Sequence, residues 1–360
     1  MGGYGALALY NNIKNTKHSK KLVFYGSHND RYFLSRSPCK YNFLAPSVMN
    51  EEEYLKHIKK IVEKYEIDLV IPKSDAEVKL ISVVRSEIGA RIYLPDNKSI
   101  IAAQDKLSFT NILDKYGVNV AKTFSLSVIE DLKFAIEKLK KIDGKYWIRL
   151  KTAGLAGGAG AGSVTDYNDA KHWVNYFLSK RTTEVSEFII SEYLPGRLFE
   201  VLLLFRKGKL IISKVYENIK YNNSENFSGI STPSVARTIN DDSSLAAVNV
   251  ARQAIDALSK ETLTEAEGIY HMSVKNNVNN EPCVTEVNIG RYPSTCAFFD
   301  NTGQYNTSEF FISYALDIPL INEPPSDHHD VNQSEKFLVR SMDHEHTIID
   351  GSTLKSNIYV

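Results

Sequence analysis

The chain has 360 residues, which suits two or three packed subdomains better than one small module. Its 43% hydrophobic and 24% charged residues are ordinary globular values, and they exclude a disordered or collagen-like chain. The 43 basic side chains balance the 43 acidic ones, so no bulk electric field attracts nucleic acid or an anionic membrane. Three cysteines without a CxxC pair predict neither a disulfide framework nor a zinc site, and no apolar run approaches the ~20 residues of a membrane helix. These features predict a soluble, cytoplasmic α/β protein whose partners are neither nucleic acids nor membranes.

The first residues, Gly2-Gly3-Tyr4-Gly5, look like a loop that should follow a first strand, yet no strand precedes them. Either the chain starts late or that strand is dispensable. A lone glycine cluster is weak evidence for a dinucleotide site, so we favour a tight turn that packs a helix against the sheet edge. The segment also lacks the charged and apolar regions of a signal peptide.

The first hundred residues alternate short apolar runs with an amphipathic segment. The runs 22–25, 67–71 and 91–94 predict strands, and the last two end at Pro72 and Pro95. Apolar residues recur at three- and four-residue steps over 51–66 and predict a helix. Strand–helix–strand units of ~30 residues imply parallel strands with crossover helices. Residues 73–77 are then expected in a loop at the carboxyl end of a strand, where open α/β sheets bind ligands.

The rest of the chain alternates helices, strands and hairpins, with no internal repeat. Helices are predicted at 105–116, 167–179 and 244–260, and strands at 146–150 and 188–193. Two hairpins are predicted, the first from 198–205 and 209–215, the second from 268–275 and 283–288. The tail after Pro324-Pro325 begins polar and contains one strand-like run, 336–340.

A glycine-rich run directly follows the strand at 146–150. Residues 153–162 contain five glycines and four alanines, which leave backbone N–H groups uncovered and able to wrap phosphate oxygens. Arg149 and Lys151 alternate with apolar residues on the preceding strand, so both are expected to face whatever lies under the loop. A flexible linker is the alternative, but linkers are usually serine-rich and are not followed at once by another strand. We favour a phosphate lid.

Oxygen-bearing and cationic residues end the last predicted strand. Glu286 and Asn288 are two positions apart, so their side chains share one face and could hold Mg²⁺ together with a triphosphate. Arg291 follows the strand end, where its planar guanidinium can bind a phosphoryl group or a carboxylate. An ordinary half-exposed strand is the alternative reading of this triplet.

A third stretch, 189–196, is a strand that runs into a Pro195-Gly196 turn. Backbone groups freed before such a turn can pair with an adenine edge. An ordinary strand terminator is an equal alternative for this stretch taken alone.

Taken in order, these stretches resemble the ATP-grasp superfamily, in particular the branch similar to the carbamoyl-phosphate synthase large subunit and to carboxylate–amine ligases. The resemblance covers roughly residues 1 to 320 and rests on these segments: "IDLVIPKSDAEV", "AAQDKLSFTNILDKYGVNVAKT", "WIRLKTAGLAGGAGAG", "SEYLPGRLFE", "TPSVART", "VTEVNIGR" and "NTGQYNTSEFFISYAL". It implies an α/β ATP-grasp fold with an N-terminal parallel α/β domain (1–104), a lid lobe with the glycine-rich loop (105–190), a lobe with the metal site (191–325) and a tail (326–360).

The resemblance also implies roles for individual residues. Lys106 and Arg149 would grip the ATP phosphates, and the glycine run with Gly157 and Gly158 would be the mobile lid over them. Glu192, Tyr193 and Leu194 would form the adenine hinge. Glu286 and Asn288 would hold Mg²⁺, and Arg291 would steady the transferred phosphate or the acyl phosphate.

The implied activity is an ATP- and Mg²⁺-dependent ligation, in which a small carboxylate is activated as an acyl phosphate and attacked by an amine. Two alternatives stay open: phosphorylation of a carboxylate or carbamate of the carbamoyl-phosphate type, and a nucleotide-binding module without turnover. The module is suggested by Ser273, which stands where related chains usually carry an acidic residue or a glutamine. Small-molecule substrates are expected, and a homodimer is left open.

Three further side chains and one loop are candidates for other roles. His271 lies on the same face as Ser273 and is expected to be solvated or structurally bonded rather than catalytic. Cys283 and Cys296 are expected to be packing residues, because nothing near them in the sequence signals a lowered thiol pKa. The polar loop 222–234 is the best candidate for substrate contact.

Overall fold

The structure is a computed structural model that describes residues 4–14, 16, 19–152, 160–180, 183–221, 233–293, 299–300, 303–320, 322–331 and 335–339. It contains three sheets, of two, four and seven strands, in chain order. None of the helices in this described part combines the length and apolarity that a membrane crossing requires.

The N-terminal part holds a short parallel pair of strands surrounded by helices. Its elements are α1 (Tyr4–Ile13), a 3₁₀ turn (Ser19–Lys21), β1 (Tyr25–His28), α2 (Arg31–Leu34), β2 (Tyr41–Leu44), α3 (Glu51–Tyr65), α4 (Asp75–Val83), a second 3₁₀ turn (Arg85–Glu87) and α5 (Asn97–Gln104). β1 and β2 pair in parallel, with Tyr25 opposite Tyr41. Helix α3 buries the apolar face predicted for 51–66 and ends at Glu66, which adopts a left-handed conformation at φ 50°. The parallel α/β character predicted from the sequence is therefore confirmed.

Three local predictions in this part were wrong. The strand predicted at 22–25 begins only at Tyr25, and the strand Tyr41–Leu44 was missed. The runs 67–71 and 91–94 are not strands but meet through a single parallel bridge, Leu69 with Arg91. Pro72 and Pro95 lack the N–H groups that a longer ladder needs, which accounts for the short pairing.

The segment 73–77 is also not a loop beyond Ser74. Ser74 accepts a hydrogen bond from the backbone N–H of Glu77, and the Glu77 side chain accepts one from the backbone N–H of Ser74. This reciprocal capping starts helix α4 at Asp75. The spacing of a serine and a glutamate three residues apart was a readable signal for that helix.

The second part is a four-stranded antiparallel sheet in the order β3-β6-β4-β5. Its elements are α6 (Lys106–Lys115), β3 (Thr123–Ser125), α7 (Asp131–Lys138), β4 (Tyr146–Leu150), β5 (Gly162–Val164), α8 (Tyr167–Lys180), a 3₁₀ turn (Val185–Glu187) and β6 (Phe188–Glu192). Tyr146, Ile148 and Leu150 of β4 point into the core under α7 and α8, so Arg149 points to the opposite face.

The third part is a seven-stranded sheet in the order β11-β10-β7-β8-β9-β13, with β12 added to β8. Its elements are β7 (Leu198–Arg206), β8 (Lys209–Tyr221), β9 (Pro233–Thr238), α9 (Asp242–Thr262), β10 (Gly268–Asn276), β11 (Pro282–Ile289), α10 (Thr307–Leu316), β12 (His328–His329) and β13 (Phe337–Val339). One face packs on α9 through residues such as Val201 and Leu203, and the other packs on α10 and α1 through Leu202 and Leu204.

The tail joins this sheet at two places rather than one. β12 pairs in parallel with β8, and β13 pairs antiparallel with β9, as the run 336–340 predicted. Strand β6 extends across the predicted division at residue 190, so the chain changes sheets only after Glu192.

Candidate functional site

Three residues predicted to bind ATP and metal meet between the four-stranded and seven-stranded sheets. Glu286 on β11 places Oε2 3.8 Å from Lys106 Nζ and 3.9 Å from Arg149 Nη1. Arg149 also donates a hydrogen bond of 3.0 Å from Nη2 to the backbone oxygen of Thr285. Lys106 and Arg149 each lie more than a hundred positions before Glu286 in sequence. The three residues thus form one polar site, with two cations on one side and a carboxylate on the other.

Lys106 is positioned by the start of helix α6. Asp105 caps the helix by accepting a hydrogen bond of 2.8 Å from the Ser108 N–H. The backbone N–H of Lys106 donates to the Lys151 oxygen at 2.7 Å, which ties the helix start to the end of β4. The Lys106 ammonium is therefore added to the positive end of a helix dipole, which favours an anion at this place.

Arg149 is a largely buried cation, with 12% of its side chain exposed. Burial lowers the pKa of the Arg149 guanidinium from its ordinary value, and the Glu286 carboxylate opposes this shift. Its Nε is buried and has no hydrogen-bond partner among the described residues. A buried donor without an acceptor is costly, so this residue fits an added anion such as a phosphate group.

Lys151 does not join Arg149 at the site. It lies one residue beyond β4, and its Nζ is 4.0 Å from Glu187 Oε1. The strand alternation that predicted a shared face ends before this residue, and Glu187 compensates its charge.

The residues predicted to hold Mg²⁺ share one face of β11, as their spacing required. Glu286 is 38% exposed at its side chain, and both cations near it lie beyond hydrogen-bond distance. Asn288 accepts a hydrogen bond through Oδ1 from Arg291 Nη2. The Arg291 Nε in turn lies 3.4 Å from Asp75 Oδ1. The carboxylate and the amide are hard oxygen donors and fit Mg²⁺ in company with phosphate oxygens.

Ser273 stands between two carboxylates. On β10 it is opposite Glu286 of β11 and opposite Glu200 of β7, and its Oγ donates 2.9 Å to Glu200 Oε2. Asn218 Nδ2 donates 3.1 Å to the other oxygen of Glu200. Burial raises the pKa of Glu200 to about 8, Glu286 adds to the rise, and the two hydrogen bonds oppose it.

Glu200 was missed by the sequence reasoning. A glutamate inside the apolar run of β7 was the available signal, because a buried carboxylate needs partners. No group of three or more His, Cys, Asp or Glu side chains in the described part of the chain is arranged to hold a metal ion. Glu286 and Asn288 are the residues predicted to hold a metal here, and the remaining oxygen ligands would have to come from a nucleotide.

His271 is buried and structurally bonded, in line with the more frequent role considered for it. Its Nε2 lies 3.3 Å from Tyr216 Oη and 3.3 Å from Glu200 Oε2. Burial lowers the pKa of His271 to about 3, and Arg291 adds to the decrease. The imidazole is thus neutral at physiological pH and belongs to the polar network around Glu200.

The predicted adenine hinge connects the two sheets. Glu192 ends β6, Leu194 is buried, and β7 begins at Leu198. The Tyr193 ring lies 5.5 Å from Lys145 Nζ and 5.1 Å from Lys275 Nζ. Gly196 follows, and a Cβ built on it would lie 2.6 Å from the Cβ of Asn276, so only glycine fits this turn.

Some predicted features lie outside the described residues. These are Gly157 and Gly158 of the glycine run, Cys296, and residues 222–232 of the polar loop. Cys283 is buried, and burial raises the pKa of its thiol to about 11, which agrees with a packing role.

Comparison with known proteins identifies the fold and nothing finer. No protein-family model matches the chain, and no curated protein matches it in sequence. Among solved structures, a biotin carboxylase from Campylobacter jejuni superposes with a TM-score of 0.69 at 15% identity, covering 93% of this chain and 73% of that one. An N5-carboxyaminoimidazole synthetase from Staphylococcus aureus, complexed with ADP, gives a TM-score of 0.65 at 13% identity, covering 94% of this chain and 79% of that one.

An L-amino acid ligase from Bacillus licheniformis gives a TM-score of 0.57 at 14% identity, covering 76% of this chain. This chain spans 62% of that ligase's length. At 13–15% identity, these three superpositions show a shared fold. The chain therefore has the ATP-grasp fold.

Proposed function

We propose that this chain is an ATP- and Mg²⁺-dependent ligase that activates a small carboxylate as an acyl phosphate for attack by an amine. The observation that carries the proposal is the approach of Lys106 and Arg149 to Glu286 across the cleft, at 3.8 and 3.9 Å. Two cations facing a carboxylate with free lone pairs match a triphosphate bound on one side and a cation on the other. Structural likeness to an L-amino acid ligase and to a synthetase complexed with ADP supports this chemistry.

In the proposed reaction, a substrate carboxylate oxygen forms a bond to the γ-phosphorus of ATP while the bond to the β-phosphate oxygen breaks, and ADP leaves. The amine nitrogen then attacks the acyl carbon, the bond to the phosphate oxygen breaks, and the amine proton passes to solvent or to the phosphate. Lys106 and Arg149 neutralise charge on the transferred phosphoryl group, and Arg291 steadies it from the end of β11. Arg291 is the residue to which we assign the catalytic role.

Bound Mg²⁺ would add charge neutralisation on the triphosphate. Glu286 and Asn288 would hold it, since both present oxygen donors on the same face of β11. The Asn288 oxygen already accepts a hydrogen bond from Arg291, so the metal ligand and the catalytic cation are oriented together. Glu192, Tyr193 and Leu194 would form the adenine hinge where the chain passes from β6 to β7.

The test is turnover with paired acceptors. The chain is incubated with ATP, Mg²⁺, bicarbonate and a pooled panel of amino acids and amines, and ADP and phosphate are measured. We expect phosphate release that requires two acceptors, that is lost in Glu286→Gln and that persists in Glu281→Gln, an exposed matched control on the turn before β11. Release that is equal in Glu286→Gln and the wild type would contradict the site assignment.

A second candidate is a nucleotide-binding module without turnover. The observation in its favour is Ser273, a neutral hydroxyl that donates to Glu200 instead of offering a carboxylate to a metal. The same assay separates the two, because the module predicts tight ATP binding and no phosphate release with any pair of acceptors.

Carboxylate or carbamate phosphorylation of the carbamoyl-phosphate type is a close enzymatic alternative. The likeness to a biotin carboxylase is the reason to include bicarbonate in the panel. We also retain two finer proposals. The first is the division at residues 104, 190 and 325, with its middle boundary moved to the end of β6 at Glu192. The second is a homodimer, which sedimentation equilibrium of the purified chain would test.

A further inference from the structure

Lys73 is a partly buried cation that the proposed reaction does not yet use. It follows Pro72 and precedes the Ser74 cap of α4, so its backbone is fixed by the start of that helix. Its Nζ donates a hydrogen bond of 2.6 Å to the backbone oxygen of Tyr292, the residue after Arg291. Lys73 therefore places an ammonium group from the N-terminal part of the chain next to the residues that follow β11.

The charge of Lys73 is only partly compensated within the described residues, by nearby Glu77. No carboxylate there forms an ion pair with its Nζ, whereas Arg291 beside it has Asp75 at 3.4 Å. Burial, and with it the charge of Arg291, lowers the pKa of Lys73 to about 7, while Glu77 acts in the opposite direction. Two neighbouring cations of which only Arg291 has a directly paired carboxylate repel each other, and a bound anion would offset that repulsion.

Lys73 and Arg291 make contacts different from those of Lys106 and Arg149. Lys106 and Arg149 contact Glu286 from the four-stranded sheet, while Arg291 contacts Asn288 from the other end of the same metal-binding face. Two positive pairs therefore flank Glu286 and Asn288. In the proposed function the nucleotide phosphates bind the first pair, Lys106 and Arg149. The second pair, Lys73 and Arg291, is then available to bind the substrate group that reacts with the γ-phosphate.

We propose that Lys73 and Arg291 form the binding site for the substrate carboxylate and for the acyl phosphate made from it. This proposal rests on the proposed function and adds the residue that binds the acceptor. In this proposal one oxygen of the substrate carboxylate binds Arg291 and the other binds the Lys73 ammonium. A lone pair on the oxygen held by Lys73 then faces the γ-phosphorus. As the new O–P bond forms and the bond to ADP breaks, the positive charge of Lys73 stays with the acyl oxygen. Lys73 is a binding residue here and transfers no proton.

The test uses phosphonoacetate, which joins a carboxylate to a phosphonate through one CH₂ group and cannot react. It is titrated by calorimetry into the full chain saturated with ADP and Mg²⁺. We expect binding to the wild type, weakening of at least about tenfold in Lys73→Met because a charge-assisted contact is lost, and little change in Lys73→Arg. The matched control is Lys79→Met, on the exposed side of helix α4, which should bind as the wild type does.

The affinity for ADP and Mg²⁺ alone should be equal in all four proteins. Lys73→Gln, which keeps a donor towards Tyr292, replaces the methionine variant if the latter does not fold. Equal phosphonoacetate affinity in the wild type and the neutral variants, or no binding to an ADP-loaded wild type, would overturn the Lys73 proposal. Failure of the wild type to bind ADP at all would instead overturn the proposed function.

Discussion

Glu286→Gln is the substitution whose consequences follow most directly from the geometry. In the proposed site and without metal, the Glu286 carboxylate would compete with ATP phosphates for Lys106 and Arg149 and would repel the triphosphate. The amide has the same shape without the charge. We therefore expect the variant to bind metal-free ATP more tightly than the wild type, although it removes a predicted metal ligand.

The magnitude follows from the distances. Unit charges 3.8 Å apart, as for Lys106 and Glu286, interact by about 4 kcal/mol at an effective dielectric constant of about 20. The Glu286 side chain is 38% exposed, so solvent screening reduces the net effect to about 1 kcal/mol. This corresponds to about a fivefold gain in affinity for ATP without Mg²⁺.

With Mg²⁺ present the order should reverse. Mg²⁺ is expected to raise the affinity of the wild type for ATP. In Glu286→Gln this increase in affinity should be at least about tenfold smaller, as is usual when metal coordination is disturbed. The assay is calorimetric titration of ATP into both proteins, once with Mg²⁺ and once with EDTA. Glu281→Gln, which makes the same change in net charge on an exposed turn, should follow the wild type in both conditions.

Two results would refute the reasoning. A weaker binding of metal-free ATP by Glu286→Gln would show that the carboxylate does not compete with phosphate for the two cations. An equal effect of Mg²⁺ in variant and wild type would remove Glu286 from the metal site.

Four further predictions concern other parts of the molecule. Lys106→Met should weaken ATP binding by about 1.5–3 kcal/mol through loss of a charge-assisted contact, as measured by titration, and an unchanged affinity would remove it from the site. Lys214→Met should lower the free energy of unfolding in urea by about 3–5 kcal/mol, because buried Asp330, which lies 2.9 Å from Lys214 Nζ, loses its counter-charge. Lys209→Met, at an exposed position, is the control. Equal urea midpoints for Lys214→Met and the wild type would contradict the prediction. Burial raises the pKa of the Cys283 thiol to about 11, so it should resist iodoacetamide at pH 8 in the folded chain and react after denaturation. Rapid labelling of the Cys283 peptide in the folded chain would contradict this prediction. The pKa of Lys73 is lowered to about 7 in the folded state, so its charged form destabilises the nucleotide-free fold most below that pH. Lys73→Met should therefore exceed the wild type in free energy of unfolding by the largest amount at pH 6 and by a smaller amount at pH 9. A difference in free energy of unfolding that grows as the pH rises would contradict this prediction.

The elements that the sequence predicted well are those in which one local pattern determines the structure. Strand β4 occupies 146–150 as expected, because alternating apolar residues bury one face and leave Arg149 on the other. Helix α6 begins after the Asp105 cap, and β10 and β11 form the expected hairpin. Lys106 and Arg149 lie 3.8 and 3.9 Å from Glu286, and their roles in binding ATP and metal stay a prediction.

The features that were missed depend on contacts between distant segments. The runs 67–71 and 91–94 have strand composition, but only Leu69 and Arg91 pair, because prolines end both runs. Nothing local to β7 shows that Glu200 meets Ser273, since that contact depends on the register between β7 and β10. The ion pair of Lys73's neighbour Arg291 with Asp75 likewise requires the N-terminal part to dock against the end of β11.

The central claim is that a triphosphate lies between the two sheets. A crystal structure of the chain with a non-hydrolysable ATP analogue and Mg²⁺ tests it most directly. The account predicts phosphate oxygens within hydrogen-bond distance of Lys106 and Arg149, with a metal ion on Glu286. A nucleotide bound elsewhere, or a cleft without nucleotide at saturating concentration, would contradict it.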